Sequence, residues 1–104
     1  MIPIDAGPRQ NGKSTRTLLW LAEDLQHRAV VVPDFDRVKH MVDLAKRLGI
    51  EGVTRHHFVL GLRAGAALRG TRYEVRIDQA DHLLEMLIGQ PVEGVTWTVD
   101  EVTP

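Results

Sequence analysis

The sequence predicts an α/β domain of three layers, a mostly parallel sheet of about five strands with helices on both faces. Apolar runs of strand length alternate along the chain with stretches of helical periodicity. One run, Ala29-Val30-Val31-Val32, is continuously apolar and mostly β-branched, the pattern of a parallel strand buried on both faces. The length of 104 residues suits one such core and not two, so residues 1–104 read as a single minimal domain.

Met1 to Ala6 is short and apolar and runs into Gly7-Pro8, which reads as a strand ending at a glycine turn. A helix follows from Ser14 to about Arg28, with Leu18, Leu21, Ala22 and Leu25 on one side and Glu23, Asp24 and Arg28 on the other. Pro33 stops the strand at 29–32. Asp34 or Asp36 caps the next helix, whose apolar stripe is Val38, Met41, Val42, Ala45 and Leu48, and Gly49 is placed to end it in a left-handed conformation. Val53 and Phe58-Val59-Leu60 predict a third strand, and a short helix is expected at Ala64–Leu68 within the glycine-punctuated stretch Gly61–Gly70. Tyr73-Glu74-Val75-Arg76-Ile77 alternates apolar and polar residues and stops at Asp78. Gln79 to Ile88 predicts a helix with Leu83, Leu84, Leu87 and Ile88 inward, broken by Gly89-Gln90-Pro91, and Val95 to Val99 predicts the last strand.

Composition excludes several classes. Hydrophobic residues make up 43% and charged residues 26%, ordinary for a soluble domain. No apolar run approaches the ~20 residues of a membrane helix, and Met1-Ile2-Pro3-Ile4-Asp5 lacks the features of a signal peptide, so a cytoplasmic protein with no membrane partner is expected. The absence of cysteine rules out disulfides and thiolate chemistry. A net charge of −1 gives no global footprint for nucleic acid. Arg55, Arg63, Arg69, Arg72 and Arg76 do cluster, and a solvated surface is favoured for them over a nucleic-acid track.

The motif that carries chemistry is Gly7-Pro8-Arg9-Gln10-Asn11-Gly12-Lys13-Ser14, which meets the P-loop pattern G-x-x-x-x-G-K-[ST] in full, with a strand before it and a helix after it. Glycines let such a loop wrap closely, so that successive backbone N–H groups point at phosphate oxygens. The helix that follows aims its positive end at the same anion. Nucleotide binding is therefore expected at Gly7 through Ser14 and at Thr15. Lys13 would reach the β- and γ-phosphates and the Ser14 hydroxyl would ligate Mg²⁺.

Hydrolysis needs a second acidic group for the metal and a base or water-positioning residue. Asp78, ending a predicted strand, is the natural partner of Ser14 in holding Mg²⁺. Its other reading is a helix N-cap, for which Asp78-Gln79-Ala80-Asp81 is a fair pattern. Many P-loop ATPases place a glutamate directly after this aspartate. Here the residue is Gln79, whose amide can hydrogen-bond a water but cannot take its proton. Asp81, Glu74 and Glu85 are the other carboxylates near enough in sequence to substitute.

The stretch from Gly7 to Ala80 resembles the first half of the ATPase domain of phage terminase large subunits and, more loosely, the first RecA-like domain of helicases. Arg9-Gln10-Asn11-Gly12-Lys13-Ser14 is similar to the terminase form of the loop, in which an arginine is thought to act on the γ-phosphate within the same chain. The resemblance gives Arg9 that catalytic role beside Gln79. Leu68 to Ala80 resembles the run into that family's acidic motif, and Val95-Thr96-Trp97-Thr98 lies where the family has its coupling strand. The sequence departs from the family in lacking an upstream adenine-recognition segment, a nuclease domain and a second RecA-like half, so the motor itself is not expected.

The expectation is a phage- or prophage-type protein that binds a nucleoside triphosphate, ATP first, with Mg²⁺, and hydrolyses it slowly or only with a partner. The alternatives are an inactive nucleotide-binding regulatory module and a small DNA-binding protein acting on a larger motor or helicase. So small a domain leaves room for self-association or a larger partner. His27, His40, His56, His57 and His82 lack metal-ligand spacing and read as ordinary histidines. Trp20 and Trp97 read as core anchors.

Overall fold

The computed structural model describes Asp5, Gly7 and residues 12–96. The strand expected at Met1–Ala6 lies outside the described residues except for Asp5, which is irregular, and so do Trp97–Val99. The described chain is an α/β domain with a three-stranded parallel sheet in the order β2-β1-β3. Its elements are α1 (Lys13–Ala22), β1 (Arg28–Val32), α2 (Phe35–Arg47), β2 (Phe58–Leu60), α3 (Ala64–Leu68), β3 (Glu74–Ile77) and α4 (Ala80–Ile88). Val95 and Thr96, expected in a final strand, are irregular. Among the described residues no helix is long and apolar enough to cross a membrane.

β1 sits at the centre because its sequence suits burial on both faces. It pairs in parallel with β2, Val30 opposite Phe58 and Val32 opposite Leu60, and with β3, Val31 opposite Ile77. Val30 and Val32 join Leu18 and Leu21 of α1, Val38, Met41 and Ala45 of α2, and Val53 and Phe58 in one core. Ala29 and Val31 alternate to the opposite face and are buried as well.

Helix α2 forms as its sequence demands. Asp34 is extended and its carboxylate accepts from the Arg37 amide at 2.9 Å, a cap worth about 1 kcal/mol. Asp36 lies in the first turn and Lys46 and Arg47 in the last, each sign at the favourable end of the helix dipole. Gly49 follows at φ 72, the left-handed stop expected of it. Leu48, expected inward, is instead exposed, because it is the C-cap and the chain turns there.

Two further expectations are corrected. Helix α1 ends at Ala22 rather than near Arg28: Glu23 to His27 form turns, with Asp24 N donating to Leu21 O and His27 N to Asp24 O, both at 3.2 Å. This frees Arg28 to open β1, where it donates to Trp20 O at 2.6 Å and to Glu23 at 2.9 Å. In α4 only Leu83 is buried, with Leu84 half-buried and Leu87 and Ile88 exposed. On β3 the apolar residues Val75 and Ile77 are exposed, while Arg76 is half-buried and lays its guanidinium over the Trp20 ring at 5.0 Å. Arg28 covers the same ring at 4.8 Å, so Trp20 is a partly buried anchor in contact with two cations.

Candidate functional site

The three strands run in parallel, so their carboxyl ends share one edge, and there the chain leaves β1 at Pro33-Asp34 and β3 at Asp78. Crevices at such edges are where open α/β sheets hold ligands. The Asp78 amide donates to Val31 O at 2.9 Å, which extends the β3 ladder by one residue and sets the carboxylate at that edge.

The first turn of α1 lies at the same place. Gly12 caps it at φ 84, a conformation that costs a residue with a Cβ and that lets the chain turn sharply into the helix. The first bond of the helix runs from Arg16 N to Gly12 O at 2.9 Å, so the amides before Arg16 lie outside its ladder. The first turn carries no acidic residue, which leaves its positive end uncompensated by the helix's own side chains. Lys13 folds back, and its Nζ donates to Gly7 O at 2.7 Å, tying the two ends of the glycine-bounded segment together. Pro8, Arg9, Gln10 and Asn11 lie outside the described residues. Thr15 is half-buried within α1.

One side chain joins the remaining pieces. Arg37, in the first turn of α2, donates through Nε to Asp78 Oδ2 at 2.6 Å and through Nη2 to Ser14 Oγ at 2.5 Å. Ser14 and Asp78, named from sequence as a metal-holding pair, thus converge on a single guanidinium. The Asp78 side chain is 7% exposed and that of Arg37 17%. A carboxylate so buried is tenable because a cation and its hydrogen bond accompany it. Arg37 itself was not singled out from sequence. Its partners lie 23 and 41 residues away, and a cation early in a helix has no local signature.

Asp78 does not cap α4. Gln79 holds that position with no side-chain cap bond, in a left-handed conformation at φ 56 and ψ 53. The imidazole of His82 in α4 stands 3.7 Å from Asp34, where the starts of α4 and α2 approach each other. His27 pairs with Asp24, and His57 accepts from the Thr54 amide at 3.0 Å. Among the described residues no three or more His, Cys, Asp or Glu residues group to hold a metal ion. Arg55, Arg63, Arg69 and Arg72 are exposed.

Arg16, four residues past Gly12, makes a two-pronged contact with Asp5, Nε to Oδ2 and Nη2 to Oδ1, each at 2.7 Å. This pairing holds the Asp5 carboxyl below the ordinary aspartate value, the Arg16 hydrogen bonds being the main cause and the nearby charges of Arg16, Lys13 and Arg76 adding to it against a smaller desolvation.

No protein-family model, curated protein or solved structure matches this chain. A functional reading therefore rests on the chemistry of these residues. The donors that meet at Arg37 are a hydroxyl and a carboxylate, hard oxygen ligands of the kind Mg²⁺ takes when phosphates and waters fill the rest of its shell. Both oxygens already lie within hydrogen-bond distance of one cationic group, so the pair is brought together at a single positive charge.

Proposed function

We propose that this chain binds a nucleoside triphosphate, ATP first, together with Mg²⁺ at the edge formed by Gly7–Thr15 and Asp78. The observation that carries the reading is the meeting of Ser14 and Asp78 at the N-terminus of α1, beside a lysine that reaches back to Gly7. The backbone of residues 7–14 would cradle phosphates, the start of α1 would add its dipole, and Lys13 would turn from Gly7 O to the β- and γ-phosphates. Ser14 and Asp78 would hold Mg²⁺, which would neutralise charge on those phosphates.

Arg9, acting on the γ-phosphate, and Gln79, orienting a water, are the proposed catalytic pair. Gln79 is exposed and carries no group able to accept a proton, so turnover is slow or depends on a partner. That same residue favours a second reading, a nucleotide-binding regulatory module without turnover. The phage or prophage origin follows only from the resemblance of the loop and of Leu68–Ala80 to terminase ATPases.

Binding of a fluorescent ATP analogue with Mg²⁺, compared between the wild-type protein and Lys13→Ala, tests the reading. Saturable binding that weakens at least tenfold in the variant is expected, and equally weak binding by both proteins would overturn it. Phosphate release by wild type and Gln79→Glu separates the two readings, since hydrolysis by the glutamate variant alone would leave the regulatory module.

A further inference from the structure

We propose that Arg37 is an internal cation that competes with Mg²⁺ for the site, so that loading of metal and nucleotide requires the guanidinium to leave Asp78 and Ser14. The inference rests on the nucleotide-binding reading and names a control within it. The guanidinium engages one oxygen of each prospective ligand, Asp78 Oδ2 at 2.6 Å and Ser14 Oγ at 2.5 Å. Two cations on those oxygens would stand within a few ångströms of one another beside a buried carboxylate, where like charges repel. Arg37 is also anchored so that it can move without unravelling its helix. Its backbone amide is held separately by Asp34 Oδ1 at 2.9 Å, and only the side chain reaches across to α1 and β3.

Arg37 acts in opposite senses in the two states. Without metal it neutralises the Asp78 carboxylate, which would otherwise face the phosphates and repel them. With metal present it must be displaced, and its bonds to Asp78 and Ser14 are what the metal has to overcome. Replacing Arg37 by a neutral residue should therefore weaken nucleotide binding in the absence of Mg²⁺ and strengthen it in the presence of Mg²⁺. A merely structural role for Arg37 would shift both in the same direction.

The test titrates MgCl₂ against binding of a fluorescent ATP analogue by wild type, Arg37→Gln and Arg37→Lys, with parallel arms in EDTA. The half-saturating Mg²⁺ concentration is expected to fall at least tenfold in Arg37→Gln, and less in Arg37→Lys, whose single ammonium cannot fork between the two oxygens. In EDTA the order should reverse, with wild type binding more tightly. An unchanged Mg²⁺ dependence in variants that retain the wild-type circular dichroism spectrum would overturn the competition by Arg37 while leaving the nucleotide reading in place. No binding by wild type at any Mg²⁺ concentration would bring down both. A measurement on wild type alone covers the case in which the variants do not fold. The Arg37 Nε–H resonance, protected by its bond to Asp78, should shift and exchange faster with ATP and Mg²⁺ but persist with ATP and EDTA. Persistence under both conditions would refute displacement.

Discussion

Arg37 Nε donates to Asp78 Oδ2 at 2.6 Å, joining the start of α2 to the end of β3 through two side chains that are both largely withdrawn from water. Breaking such a pair from one side strands the other charge. Arg37→Met is expected to destabilise the domain by about 3 kcal/mol, because the Asp78 carboxylate remains buried without its cation. The double variant Arg37→Met/Asp78→Leu should recover most of that loss, with a coupling of about 2 kcal/mol in a double-mutant cycle read by urea denaturation. Strict additivity would mean that the pair contributes nothing to folding.

Two glycines, Gly61 just before α3 and Gly65 within it, should respond oppositely to alanine. A Cβ at Gly61 would run into the buried Leu83 side chain of α4, so Gly61→Ala is expected to cost about 1–3 kcal/mol through overpacking. Gly65 lies in α3 with open space around its Cα, and Gly65→Ala should add about 0.5 kcal/mol by restricting the unfolded chain. Thermal unfolding of both variants checks the pair, and a stabilised Gly61→Ala would show that α4 does not pack tightly over that turn.

The contact between Asp5 and Arg16 makes stability depend on pH in a stated direction. The folded-state pKa of Asp5 is lowered, so its contribution is present above the ordinary aspartate range and is lost as the pH falls through the folded value. Denaturation midpoints of wild type and Arg16→Gln should therefore differ at neutral pH and converge in acid. Because both side chains are substantially exposed, the gap should also narrow in high salt. Curves that stay parallel into acid would contradict the assignment.

Much of this architecture was legible because it follows from short-range chemistry. Asp34, the stripe Val38-Met41-Ala45 and Gly49 define α2 within one stretch of chain, and the Ala29–Val32 run identifies the central strand. Leu25 shows where periodicity stops being informative. It continues the spacing of Leu18 and Leu21, yet it reaches the core from a turn, because Arg28 must already be extended to pair with Glu74. Leu87 and Ile88 satisfy the α4 pattern and remain exposed, since spacing says which residues share a face but not whether anything covers it. In the candidate site, Ser14 and Asp78 could be named from motif chemistry. Arg37 could not, because its role exists only once three separate segments have met.

Gln79 offers the last test, and it concerns the turn that presents Asp78. Among the described residues it is the single non-glycine residue at positive φ, with φ 56 and ψ 53. A side chain there costs about 1–2 kcal/mol relative to a right-handed conformation, and the turn tolerates it while delivering the chain from β3 into α4 directly beside a metal-ligand candidate. Strain at such a position is sustained when the surroundings over-determine it. Here the Asp78 amide on Val31 and the Asp78 carboxylate on Arg37 hold one side, and Leu83 N on Gln79 O at 3.0 Å holds the other. Gln79→Gly should therefore raise stability by about 0.5–1 kcal/mol, the relief of strain being partly offset by the greater freedom of glycine in the unfolded chain. Gln79→Val should lower it, since a β-branched residue fits the left-handed region worse than glutamine does. If Gln79→Gly unfolds below wild type, the turn is unstrained and the side chain of Gln79 contributes to folding; if it unfolds above, the amide beside Asp78 is held at a cost to stability, as the proposed role of Gln79 in orienting a water would require.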